Sequence, residues 1–66
     1  MNADELLNKI QELINNKGTS PKFLNFAILR HNVEATEENR AAFRELLKQK
    51  RIRVREGINH NLVEVL

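Results

Sequence analysis

The chain contains no cysteine, tryptophan or tyrosine, and only two glycines and one proline in 66 residues. Without cysteine there is neither a disulfide framework nor a thiolate metal site, which fits a reducing compartment. The two histidines, His31 and His60, form no HxxxH pair, so no metal is expected. Gly18 and Gly57 stand alone; no glycine-rich loop cradles nucleotide phosphates, and no cofactor is expected. A nucleophile needs a base within reach, and Ser20 reads as a helix cap, so no enzyme activity is expected. The three aromatic residues, Phe23, Phe26 and Phe43, fall at core-like positions, which gives single-strand binding through stacked bases little support. No apolar run is long enough to cross a bilayer. The opening MNADELLNKI is acidic and amphipathic rather than basic and then continuously apolar, so no signal peptide and no membrane partner are expected. A cytoplasmic location is the default.

What is present is charge, unevenly placed. The formal net charge is only +2. Residues 32–39 carry Glu34, Glu37 and Glu38 with no lysine or arginine, whereas residues 40–55 carry seven basic residues against Glu45 alone. Such asymmetry points to a polyanion better than the net value does. A chain of this size makes one domain, 1–66, and buries only roughly 60% of the surface its unfolded form exposes.

The periodicity supports three helices and then a change of period. Leu6, Leu7, Ile10, Leu13 and Ile14 share one face of a helix over 3–16. Asn2 and Glu5 are spaced as a capping box, and Gly18 follows as a candidate stop. Ser20-Pro21 predicts a second helix over 20–31. Its residues Phe23, Leu24, Phe26, Ala27, Ile28 and Leu29 wrap around much of the circumference, as in a helix central to the core or covered by another molecule. The pattern breaks at Arg30-His31-Asn32, and Val33 is expected to plug the core from a turn. Thr36 caps a third helix over 36–49, with Glu37 and Glu38 at the positive end of its dipole. Its apolar face is Ala42, Phe43, Leu46 and Leu47, bordered by Arg40, Arg44 and Lys48 at four-residue spacing. Arg51-Ile52-Arg53-Val54-Arg55 then alternates as a half-buried strand, 51–56, and Leu62–Leu66 supplies a second, 61–66. A tight turn at Glu56-Gly57 would pair Arg55 with Ile58; a longer loop over 57–60 is favoured. The Lys17–Thr19 link is open to a third, edge strand.

This element order, with the stretch NVEATEENRAAFRELLKQKRIRV at 32–54, resembles the winged helix-turn-helix superfamily over essentially the whole chain. The fold class expected is α+β, three helices followed by a C-terminal hairpin or wing. The resemblance implies duplex DNA as partner, with the third helix approaching the major groove. Two features depart from the family pattern. The turn is about one residue longer and lacks the usual glycine. The third helix also opens on Glu37-Glu38, which repel phosphate there, although a glutamate can accept a hydrogen bond from cytosine.

The expected function is that of a compact transcription regulator or accessory DNA-binding factor, of a size suited to a mobile element. Arg51, Arg53 and Arg55, with Lys50, would hold phosphates through the wing or probe a minor groove, since the guanidinium fork is always charged and donates bidentately. Arg40, Arg44 and Lys48 would extend the contact along the third helix, with Asn39 a candidate for reading adenine. The plainer reading of the wing arginines is a solvated strand face paired with Glu64, although one glutamate does not neutralise three arginines. A single domain offers one half-site, so a homodimer is expected, with Phe26 and Leu29 as candidate contacts. The alternative is a protein-interaction module or small inhibitor on the same fold. It would use the Glu34, Glu37 and Glu38 cluster or the Phe26/Leu29 patch.

Overall fold

A computed structural model describes residues 1–16, 23–57 and 61–66. The elements run α1 (Ala3–Asn16), β1 (Phe23–Asn25), α2 (Phe26–Asn32), α3 (Glu37–Lys48), β2 (Ile52–Glu56) and β3 (Asn61–Val65). The α+β class therefore holds, with a three-stranded antiparallel sheet in the order β1-β3-β2.

The first helix begins as its sequence dictates. The Asn2 side chain accepts from the Glu5 amide at 2.8 Å, and the Asn2 amide donates back to the Glu5 carboxylate at 3.0 Å. Two end-of-helix N–H groups that would otherwise lack partners are satisfied reciprocally. Leu6, Leu7 and Ile10 are buried and Leu13 and Ile14 half-buried, which is the stripe their spacing predicts.

The second helix is shorter than expected. Phe23–Asn25 form a strand, not the first turn of a helix over 20–31, and α2 starts at Phe26. Asn25 has extended dihedrals (φ −62°, ψ 129°), and its side chain accepts from the Ala27 amide at 2.8 Å. It caps the helix as asparagine commonly does. The strand forms because Leu24 pairs with Val63 across the sheet and both are fully buried. With Phe23 and Leu24 in the sheet, the apolar residues no longer encircle α2. The Ser20-Pro21 cap, the Gly18 stop and the 17–19 edge strand lie outside the described residues. Val33 does plug the core: it is buried, and its amide closes α2 on the Leu29 carbonyl at 2.8 Å.

The third helix is capped by Thr36, whose hydroxyl accepts from the Asn39 amide at 3.1 Å. Ala42 and Leu46 are buried and Phe43 half-buried, but Leu47 is exposed. At its far end the Lys50 amide donates to the Leu47 carbonyl (3.1 Å) and the Arg51 amide to the Leu46 carbonyl (3.0 Å). This is the Schellman pattern, and Lys50, at φ 59°, occupies the left-handed position where glycine is usual.

In the hairpin, Glu56 pairs with Asn61 and Arg55 with Leu62, so the tight turn that would pair Arg55 with Ile58 is not formed. Residues 58–60 lie outside the described residues. Residues directly opposite in an antiparallel sheet share a face. Leu24, Val63, Ile52 and Val65 thus turn toward the helices and complete the core with Leu6, Ile10 and Leu46. The opposite face presents the rows Phe23–Glu64–Arg53 and Asn25–Leu62–Arg55. β2 is an edge strand, and Ile52 is its one buried residue. No helix among the described residues is long and apolar enough to cross a membrane.

Candidate functional site

Strand alternation puts Arg53 and Arg55 on the outer sheet face, as their spacing predicts, but it also puts Glu64 on that face, directly opposite Arg53. Arg53 donates to one Glu64 carboxylate oxygen from Nε at 3.1 Å and from Nη2 at 2.6 Å. Arg55 Nη1 lies 4.0 Å from the same oxygen, with its guanidinium 5.8 Å from the Phe23 ring centroid. This distance suits a cation–π contact. Glu64 is largely covered, with 13% side-chain exposure, while Arg53 and Arg55 remain 55% and 53% exposed. Both arginines therefore keep donors in water while paired. Surface pairs of this kind contribute about 0–1 kcal/mol.

Arg51 is not the third member of that face. It precedes β2, and its Nη1 donates to Asp4 at the start of α1 at 2.7 Å. Its backbone carbonyl also accepts from the Leu66 amide at 3.0 Å. The residue ties the exit of α3 to α1. Three guanidiniums thus meet two carboxylates, leaving one positive charge in excess.

The α3 stripe behaves differently. Arg40, Arg44 and Lys48 are exposed along one side of the helix, and Lys50 is exposed just beyond it. Among the described residues no carboxylate pairs with any of them, or with Arg30 on α2. Every other lysine or arginine of the described residues has a carboxylate within 4.0 Å, Lys9 with Glu12 included. Among the described residues the uncompensated cations therefore gather on α2, α3 and the exit of α3.

Asn39 sits at the foot of α3. Its Nδ2 donates to the Glu34 carbonyl at 2.7 Å, and its Oδ1 accepts from the Met1 ammonium at 2.9 Å. One end of the amide holds the α2–α3 turn and the other the Met1 ammonium ahead of α1, which accounts for an asparagine here without a base edge. Glu34, Glu37 and Glu38 are all exposed around that turn, and Glu38 lies 3.3 Å from the Met1 ammonium.

The expected Phe26/Leu29 dimer edge does not stand as drawn. Leu29 is a core residue at 5% exposure, turned inward once β1 takes Phe23 and Leu24 out of the helix. Phe26 is half-buried and meets Phe43 edge-on, with centroids 5.8 Å apart and planes at 76°. Two contributors escaped the sequence reading. Arg30 looked like a break in an apolar pattern, and Phe43 looked like plain core. Both line one groove between α2 and α3, and no local signal marks residues that meet only through the angle between two helices. Among the described residues no cluster of three or more His, Asp or Glu side chains is placed to hold a metal ion.

Comparison with protein-family models, with curated proteins and with solved structures finds no match.

Proposed function

We propose that the protein binds duplex DNA through the α3 stripe and the exit of α3, on a winged-helix type of fold. The observation that carries this reading is the collection of Arg40, Arg44, Lys48 and Lys50 on one helix side and its exit without a carboxylate partner among the described residues. Four unpaired cations along a helix meet a phosphate backbone with no internal pair to break, and each phosphate they neutralise releases counterions. The element order, with a third strand beside the hairpin, supports the family resemblance. Arg53 and Arg55 take a secondary part, since a phosphate must share them with Glu64. Affinity is mainly electrostatic, because phosphate contacts position a protein without reading sequence. The role is that of a compact transcription regulator or accessory DNA-binding factor.

The test is a titration of isotope-labelled protein with a mixed-sequence duplex, followed by amide chemical shifts. Shifts concentrated over residues 40–51 support the reading. Shifts confined to the outer sheet face, or none at low salt, overturn it.

A further inference from the structure

Between α2 and α3 the surface opens into a groove of about 400 Å³. Its base includes the buried Leu6 and Leu29, and its wall the half-buried Phe26 and Phe43. Its rim carries Arg30, Arg40 and Arg44, all exposed and without a carboxylate partner among the described residues. Glu34 alone adds the opposite charge. An apolar trough ringed by three guanidiniums has two demands, an apolar group for its floor and anions for its rim. A DNA backbone meets only the second and leaves the aromatic wall in water. Lys48 and Lys50, at the other end of the basic stripe, do not line the groove.

We infer that the groove receives a short acidic segment of a partner protein, with one large apolar side chain seated against Phe26 and Phe43. Carboxylates on either side of that anchor meet Arg30, Arg40 and Arg44. The volume suits a recognition pocket for a few side chains. Guanidinium groups bind carboxylates bidentately, which fixes the orientation of the segment. Alternation of acidic and apolar residues in a peptide matches guanidiniums supplied by two different helices, which a single small carboxylate does not. Because Arg40 and Arg44 belong to both surfaces, the acidic segment and duplex DNA exclude one another. Peptide binding stands without the DNA reading; only the competition rests on it.

The probe is a fluorescein-labelled peptide, EDFDDSSEE, titrated with the full chain and followed by anisotropy. Its partner probe, EDSDDSSEE, has the same charge and no apolar anchor. The first peptide binds at micromolar concentrations and the second at least about tenfold more weakly, the loss expected for one unburied apolar side chain. Arg30→Ala, at an exposed site, weakens the first peptide about fivefold and duplex binding less than twofold. Lys48→Ala does the reverse. Unlabelled duplex displaces the peptide from wild-type protein. Equal binding of the two peptides reduces the groove to a charged surface and overturns the proposal. So does an unchanged affinity in Arg30→Ala with intact circular dichroism, or no binding of either peptide at about 1 mM protein. Self-association abolished by Arg30→Ala assigns the groove to a second copy instead, and binding of hexanoate as tight as that of the peptide assigns it to a small carboxylate. A duplex that fails to bind leaves the peptide titration readable, so the two readings fail separately.

Discussion

Lys50 offers a test in which stability and binding move in opposite directions. It holds φ 59° at the end of α3, where its amide and that of Arg51 close the helix on the Leu47 and Leu46 carbonyls. The left-handed conformation costs a residue bearing Cβ about 1–2 kcal/mol. Glycine escapes that cost but gives up about 0.5–1 kcal/mol to its greater freedom in the unfolded chain. Lys50→Gly therefore stabilises the protein by about 0.5–1 kcal/mol, a rise of about 2–8 °C in Tm for a domain of this size. Lys50→Ala keeps Cβ and loses only the charge, so it stays within about 0.5 kcal/mol of wild type. Urea and thermal denaturation followed by circular dichroism measure both variants. In DNA binding the two variants behave alike, since each loses one unpaired cation and lowers the salt slope by about 0.9. A glycine variant no more stable than the alanine variant refutes the left-handed exit and the helix stop built on it.

Leu24→Ala, at a fully buried position paired with Val63, costs about 2–5 kcal/mol. That is a large share of the few kcal/mol a small domain holds. A loss below about 1 kcal/mol in urea denaturation contradicts the β1 assignment. Asn2→Ala removes one half of the reciprocal cap on α1 and lowers stability by about 1 kcal/mol, read as a lower Tm; no change shows that the cap is not formed. Glu64→Gln removes the carboxylate shared by Arg53 and Arg55. It tightens DNA binding and steepens its salt dependence by at most about one phosphate contact, and an unchanged complex excludes the wing from the interface.

The parts of the fold that local chemistry dictates were legible in the sequence. The Asn2–Glu5 cap, the α1 stripe, the Thr36 cap and the alternation of Arg53 and Arg55 all depend on neighbours a few residues away, and all appear in the structure. β1 was not legible. Phe23, Leu24 and Phe26 fit helical spacing as well as strand alternation, and only pairing with β3, some 40 residues on, selects the strand. The same limit applies to charge. The sequence shows five cations at 48–55, but that Arg51 reaches Asp4 and Arg53 reaches Glu64 is a matter of tertiary placement. The candidate site consequently moves from the wing toward α3. Arg30 joins it only because the α2–α3 angle brings it to the rim shared with Arg40 and Arg44.

The most direct measurement is fluorescence-anisotropy binding to a mixed-sequence duplex across a salt series. Wild type is compared with Arg40→Ala/Arg44→Ala/Lys48→Ala and with Arg53→Ala/Arg55→Ala. Four phosphate contacts from the stripe and Lys50 correspond to a slope of log affinity on log salt near about −3.6. The stripe variant flattens this slope to about −1, while the wing variant changes it by less than about 1. A stripe variant that keeps the wild-type slope, or a wild-type protein that binds no duplex at low salt, contradicts binding through the α3 stripe.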